Sequence, residues 1–324
     1  MNIDMINAAA KRIDGHARRT PLLSSPFLDE IAGRRILIKP ECLQHTGSFK
    51  FRGAWSALSA MDPDIRARGV IAFSSGNHAQ GVALAAREHG TTAVIIMPSD
   101  APELKINNTK ALGAMVVLYD RATEDRDEIG DRLANERGLT LVKPFDEPLV
   151  IAGQGSVGLE IATQAAELGI TSAEVLVPCG GGGLTSGVGL ALEANAPDMK
   201  VRPVEPEGFD DVTRSLISGK IEKNPATTGS ICDAIITPSP GVITFPILQR
   251  LCGAGIVVSD DDCLRAMAEA FTRLKIVIEP GGAVALAATL YHGNSLESDT
   301  IICVASGGNV DAPLFIDALT KYGK

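Results

Sequence analysis

"EVLVPCGGGGLTSGVGLALEA", residues 174–194, decides the fold. An apolar run, four consecutive glycines and a second apolar stretch of helical spacing follow one another without a spacer. A strand that turns directly into a helix is half of a βαβ unit, the connection that parallel strands require. The same order recurs along the chain. Strand-like runs stand at 35–41, 69–75, 93–99, 115–119, 174–179, 200–206, 255–260 and 300–306. Helical patterns at 76–90, 101–114, 123–138 and 150–169 separate them, the second with Pro102 near its start and Gly113 near its end. The strand runs are almost continuously apolar, as expected when helices cover both faces of a sheet. This is an α/β pattern with two open, mostly parallel sheets. The strand–helix units within 68–146 are expected to form a small domain. Residues 1–67 and 147–324 are expected to form a larger one, with a ligand cleft between the two.

Composition narrows the partners. A net charge of −9 argues against general nucleic-acid binding but leaves room for a local anion pocket. The six cysteines include no CxxC pair and mostly sit in apolar contexts, which implies reduced thiols and a cytoplasmic protein. The first 21 residues contain no apolar signal core, and no apolar run reaches the roughly 18 residues of a membrane span. Neither a secretory leader nor a membrane partner is expected.

Three stretches carry chemistry. Gly180, Gly181, Gly182 and Gly183 let consecutive main-chain N–H groups approach one anion, and the following helix adds its N-terminal donors. A phosphate suits this turn; a tight βα turn without ligand is the alternative. No Gly-Lys-Ser/Thr follows, so it is not a P-loop, and it matches the dinucleotide fingerprint poorly. "SSGNHAQG", Ser74 to Gly81, occupies the same strand-to-helix position and suits a carboxylate, or is simply a capped helix start. "TGSFKFRGA", residues 46–54, places Lys50 in a segment flanked by Gly47, Ser48 and Gly53. A phosphate site, a carboxylate site and one such lysine together fit an adduct of pyridoxal phosphate with an amino acid.

These residues bear a resemblance that spans nearly the whole chain. "TGSFKFRGA", "SSGNHAQGVA", "VIAGQGSVGLEI", "VPCGGGGLTSG", "VEPEGFDD", "IEPGGAVALAA" and "ASGGNVD", in that order, resemble the fold-type II (tryptophan synthase β-like) pyridoxal phosphate enzymes of the serine/threonine dehydratase and serine racemase group. The resemblance implies that Lys50 holds the cofactor as a Schiff base and removes the substrate Cα proton. It implies that Phe49 lies against the cofactor ring, that Gly180 to Gly183 cradle its phosphate, that Asn77 bonds its hydroxyl and that Ser306 meets its pyridine nitrogen. Ser74, Ser75, Gly76, Asn77 and His78 would bind the substrate α-carboxylate. In "VEPEGFDD", Glu205, Asp211 and the carbonyl of Phe209 would hold Mg²⁺, or Ca²⁺ or Mn²⁺, as hard oxygen ligands do.

Two positions bear on the substrate. Ser75 stands where strict threonine dehydratases of the group carry alanine, and the resemblance places it on the cofactor face opposite Lys50, able to exchange the Cα proton. A small helix-start residue without chemical role is the alternative. Arg126, in "TEDRDEIGD", matches an arginine of the racemase and hydroxyaspartate branch that reaches a second carboxylate. A surface arginine paired with its acidic neighbours is the alternative. Thr237 falls near a substrate contact of the racemase branch. Departures also occur: Asp233-Ala234 replaces the group's Asp-Gly, and Cys179 replaces a valine. The expected activity is a hydroxy-amino-acid ammonia-lyase acting on 3-hydroxyaspartate, threonine or serine. The alternatives are a serine or aspartate racemase with side elimination, a β-replacement synthase, and a non-catalytic ligand sensor. A homodimer is expected, and isoleucine feedback is not, because the chain ends at 324.

Overall fold

The computed structural model describes residues 1–101, 103–120 and 122–323. Pro102, expected near a helix start, lies outside them. Among the described residues, nine strands form two sheets. The strands are β1 (Arg35–Pro40), β2 (Val70–Phe73), β3 (Ala93–Pro98), β4 (Met115–Tyr119), β5 (Thr140–Leu141), β6 (Ala173–Pro178), β7 (Met199–Pro206), β8 (Ile256–Val258) and β9 (Thr300–Ala305). The larger sheet runs β1-β9-β6-β7-β8 and the smaller β4-β3-β2-β5. Every pairing of named strands is parallel. Among the described residues, antiparallel contacts are confined to the isolated bridges Leu23–Ile38 and Ser48–Gly307.

The central strand β6 shows why the apolar runs are continuous. All six of its residues are buried. Side chains alternate between faces, so Leu176 joins Ile36, Ile38 and Val204 in a core beneath the helix Pro280–Tyr291. Val175 and Val177 join Leu37, Val201 and Ile302 on the other face. The edge strand β4 departs from this pattern, leaving Met115 and Leu118 half exposed at 52% and 45%. The expectation of strands covered on both faces therefore holds for the sheet interiors and not for this edge.

"VIAGQGSVGLEI" lies in the helix Pro148–Glu167, and its glycines are a packing device. This helix meets the helix Gly183–Asn195 backbone to backbone. A Cβ on Gly187 would sit 2.7 Å from both Gly155 N and Ile151 O. Alanine normally favours a helix by about 1 kcal/mol over glycine, but rigid backbone atoms cannot retreat from a new methyl. Gly187→Ala is expected to lose about 1–3 kcal/mol net, as overpacked cores do. Urea unfolding checks it; an unchanged or raised midpoint would show that the helices separate freely.

The segment after β1 divides two charged residues between two jobs. Lys50 opens the helix Lys50–Ala60, after the left-handed turn at Thr46 and Gly47 (φ 58° and 72°). Arg52, two residues on, points away from Lys50 into a network in which it, Glu41 and Lys39 are fully buried and Glu160 is partly exposed. It donates to Glu41 from Nε (2.7 Å) and Nη2 (2.8 Å), and to Glu160 from Nη1 (2.6 Å) and Nη2 (3.0 Å). Lys39 also donates to Glu160 (2.6 Å), to Gln164 and to the carbonyl of Thr20. Burial opposes ionisation of Glu41, but Arg52 outweighs it and holds the carboxyl below its ordinary range.

Candidate active site

A cavity of about 270 Å³ lies where the carboxyl ends of strands from both sheets meet, the usual ligand position in open α/β folds. The loop after β6 brings Gly180, Gly181, Gly182 and Gly183 to it, and the loop after β2 brings Ser74, Ser75, Gly76, Asn77 and His78. The end of β9 adds Ser306, and Phe49 and Lys50 complete this part of the wall. Arg126 and Thr237 line it as well. The structure therefore gathers every residue expected at the cofactor and substrate into one cavity. The metal trio lies elsewhere.

The glycine loop presents unused donors. Gly182 has φ +88°, and the helix Gly183–Asn195 begins with no side-chain cap. The first N–H groups of a helix have no internal partner, so this start is open to an anion. Thr185 Oγ1 and Gln154 Oε1 line the cavity, are buried, and lack any hydrogen-bond partner. The glycines also serve the protein's own packing, since a Cβ on Gly181 would meet the Phe145 ring at 2.3 Å. The open helix start and the orphaned Thr185 hydroxyl, both donors, fit a bound phosphate; Gln154 Oε1, an acceptor, does not bond it.

The helix Asn77–Glu88 likewise starts with no side-chain cap. Ser74 Oγ accepts from Gly76 N–H at 3.2 Å and tightens the loop. Asn77 is fixed at both ends of its amide, with Nδ2 donating to Glu279 Oε1 (2.6 Å) and Oδ1 accepting from Asn309 Nδ2 (2.7 Å). His78 Nε2 pairs with the carbonyl of Val142 at 2.8 Å and must be the donor, which leaves Nδ1 as an acceptor without partner. Burial, then the nearby Lys50 charge, pushes the His78 imidazole down to about 3. It is neutral, so what His78 offers an anion is its main-chain N–H.

Lys50 Nζ donates to the carbonyl of Pro144 at 2.7 Å and lies 5.1 Å from the centre of the Phe49 ring. Burial brings the amine down to about 8, against the opposing charge of Glu279. Arg126 opens the helix Arg126–Arg137 behind the cap residue Asp125; its side chain is 56% exposed and lies 3.5 Å from Asp127. It thus both lines the cavity and pairs with a neighbour on the surface. Thr237 Oγ1 is buried without a partner.

Three wall residues carried no role in the sequence reading. Glu279, the helix-cap residue of "IEPGGA", is 3% exposed, and burial pushes its carboxyl up to about 7. Its signal was an acid ahead of a helix-starting proline. Lys105 and Asp233 form an ion pair of 2.8 Å across the cavity wall, between the helix Glu103–Ala111 and the 219–243 connection. No local spacing could reveal it, because its partners are 128 residues apart.

The "VEPEGFDD" residues form a separate buried centre. Glu205 accepts from Val212 N (2.8 Å), Thr213 N (2.7 Å) and Thr213 Oγ1 (2.7 Å), capping the helix Asp211–Ser218. Asp211 Oδ1 accepts from Asn224 Nδ2 at 2.5 Å, while Oδ2 is buried without a partner. Burial pushes Glu205 up to about 8 and Asp211 up to about 6. Phe209 is buried beside them in sequence. Among the described residues no cluster of three or more His, Cys, Asp or Glu side chains suits a metal. The six cysteines are free, and no described helix is long and apolar enough to cross a membrane.

Comparison with known proteins agrees with this geometry. The family described as pyridoxal-phosphate dependent enzyme matches residues 13–307. The L-threo-3-hydroxyaspartate ammonia-lyase of Pseudomonas sp is 43% identical over 311 residues, 96% of each chain. A serine racemase of Oryza sativa is 38% identical over 325 residues, covering 99% of this chain and 94% of that one. The crystal structure of a threonine deaminase from T.th. superposes with a TM-score of 0.91 at 45% identity, over 96% of this chain and 99% of that one. With two uncapped helix starts and a lysine on one cavity, and a family match over most of its length, this chain belongs to the pyridoxal-phosphate-dependent enzymes.

Proposed function

We propose that the protein is an ammonia-lyase that converts a β-hydroxy amino acid to a 2-oxo acid and ammonia, with 3-hydroxyaspartate ahead of threonine and serine. The observation that carries this reading is the convergence of two uncapped helix starts, Lys50 and the neutral Ser306 on one cavity. When bound, pyridoxal phosphate supplies an electron sink for the pair left at Cα once its proton departs. Gly180 to Gly183 and Thr185 Oγ1 would hold its phosphate, Phe49 its ring face, and Asn77, oriented by Glu279 and Asn309, its hydroxyl. Ser306 would be a neutral partner for the ring nitrogen, a setting that suits loss of a β-leaving group.

Lys50 would hold the cofactor covalently and, as the free amine, take the Cα proton; burial, which lowers its basicity, keeps a usable fraction of free amine near neutrality. The main-chain N–H groups of Ser74 to His78 hold the α-carboxylate. Arg126 reaches a second carboxylate bidentately, with Thr237 beside the substrate, and Ser75 handles protons on the face opposite Lys50. The water lost with the β-hydroxyl is returned when the released enamine hydrolyses. Hydroxyaspartate therefore gives oxaloacetate and ammonia, threonine 2-oxobutanoate, and serine pyruvate. Racemisation is the second reading, and the hydroxyl of Ser75 on the cavity wall favours it. A 2-oxo acid release screen of threonine, serine and each 3-hydroxyaspartate isomer tests the lyase, with D-serine assayed in parallel. D-serine in excess over pyruvate would replace it with a racemase.

The state of Lys50 sets a pH dependence. Only the neutral amine captures an aldehyde cofactor, and its titration is centred near 8. Cofactor uptake by the cofactor-free protein is expected to accelerate about tenfold per pH unit well below 8 and to level above it. Stopped-flow absorbance reads this directly; acceleration continuing to the ordinary lysine range would show an unperturbed amine.

Glu205, Asp211 and the carbonyl of Phe209 would hold Mg²⁺, Ca²⁺ or Mn²⁺. The orphaned Asp211 Oδ2 and two carboxyls driven toward neutrality by burial fit a missing positive charge. Mg²⁺ at about 100 times its dissociation constant is expected to stabilise the fold by about 2.7 kcal/mol, and chelation to reverse it. A thermal midpoint indifferent to both would remove the metal. Residues 68–146 as a small domain, 1–67 with 147–324 as a large one, and a cytoplasmic homodimer complete the reading.

A further inference from the structure

Asn224 touches neither the cavity nor the side chain of Glu205, yet it is bonded toward both centres. Its Nδ2 donates to Asp211 Oδ1 (2.5 Å) and to the carbonyl of Thr237 (2.8 Å). Its main-chain N–H donates to the carbonyl of Pro238 at 2.9 Å. Its Oδ1 accepts from Arg214 Nη2 at 2.6 Å, and Arg214 also donates to Asp210 and to the carbonyl of Lys223. An arginine can only donate, so the amide cannot be flipped, and its NH₂ must face Asp211 and Thr237.

The position of these bonds matters. Asn224 and Thr237–Pro238 are the two ends of a loop, and Asn224 closes it at the base, as in compact loops whose ends lie close. The loop contributes Asp233, Ala234, Ile235 and Ile236 to the cavity wall. At its end Thr237 lines that cavity and carries a buried, partnerless Oγ1. At the other end of the relay, Asp211 keeps a buried, partnerless Oδ2. One asparagine amide thus lies between two unsatisfied oxygens, one at each centre.

We propose that Asn224 is a positioning residue that couples cation occupancy at Glu205 and Asp211 to the substrate wall at Thr237, an inference that rests on the cation reading above. A cation at Oδ2 would fix the position of the Asp211 carboxyl group, and with it the Asn224 amide bonded to Oδ1. The same amide holds the carbonyl of Thr237, so the order imposed on Asp211 passes to a residue that lines the cavity. The effect falls on substrate affinity, because no bond of Asn224 reaches Lys50 or the glycine loop.

The test uses holoenzyme stripped of divalent ions and titrated with MgCl₂, with thermal midpoint, KM and kcat measured on the fastest substrate of the screen. In the wild type, Mg²⁺ is expected to raise the midpoint and lower KM by about fivefold or more, the lower end of coupling between sites, with kcat little changed. In Asn224→Ala the midpoint still rises, because Glu205 and Asp211 remain, but KM changes by less than about twofold. Arg214→Met, which frees the amide to rotate, serves if Asn224→Ala does not fold; it should keep the midpoint response and lose at least about half of the KM response. A wild-type KM response in either variant overturns the coupling. Loss of the midpoint response together with the KM response also overturns it, since Asn224 would then belong to the cation site itself. A wild-type midpoint indifferent to Mg²⁺ rejects the cation reading, and the coupling with it.

Discussion

Lys50→Ala is expected to lower kcat for 2-oxo acid release by about 10⁴-fold, the upper end of what one acid–base group contributes, and to leave the fold intact. The two halves of this expectation have different origins. Among the described residues the amine makes one hydrogen bond, to the carbonyl of Pro144, so little structure depends on it. Burial already drives it toward the neutral form, so removing it relieves the cost of burying a cation rather than breaking an ion pair. Lys50→Arg should not rescue activity, because a guanidinium stays charged at any working pH and cannot attack an aldehyde. Steady-state assay with a thermal melt decides the matter. A variant that keeps more than about 1% of the activity would move the proton transfer elsewhere, given the loss expected of a sole base.

Arg52→Met inverts that pattern. It should cost about 3–5 kcal/mol of stability, the usual penalty for removing one partner of a buried ion network, while any molecules that remain folded keep Lys50 in place. Glu41 would be left fully buried with only the hydroxyl of Thr20 and the more distant Lys39 for support. The pH dependence has a definite sign. Glu41 is held below its ordinary range in the folded protein, so its contribution is complete above the ordinary carboxylate range and fades as pH falls through the folded value. Urea unfolding of wild type and variant at neutral and acid pH should show the gap narrowing in acid. A loss below about 1 kcal/mol at neutral pH would mean that the network behaves like a surface pair.

Lys50 and Arg52 also mark what a sequence can disclose. The residues of the cavity wall were legible because each sits in a short run whose local geometry is dictated: four glycines between strand and helix, or Ser-Ser-Gly-Asn-His at a helix start. Those runs lie at the carboxyl ends of β6 and β2, strands of different sheets whose ends face one cavity. Residues whose meaning lies in a distant partner were not legible. Arg52 meets Glu160 108 residues away, Asn77 meets Glu279 202 residues away, and Lys105 meets Asp233 across the wall. Spacing cannot encode such pairs, since only the completed topology sets their distance. Arg126 lies between these cases: the sequence brought it to the cavity, but its pairing with Asp127 shows it also at home on the surface.

The glycine contact between the helices Pro148–Glu167 and Gly183–Asn195 has a consequence for how the protein can change over generations. The glycine loop opens the second of these helices, and Gly187, within that helix, has no free volume. A Cβ at Gly180 to Gly183 would meet neighbouring atoms at 2.3–2.8 Å, and one at Gly187 would meet backbone at 2.7 Å, so mutations there are removed by instability before any gain in activity can be selected. Ser75, Arg126 and Thr237 stand on other elements, outside this contact. Drift in substrate preference is therefore channelled to the substrate end, and a lineage can exchange one hydroxy amino acid for another while its phosphate end stays the same. Libraries varied at 75, 126 and 237 should yield folded proteins with altered selectivity, and libraries varied at 155 and 187 mostly insoluble ones.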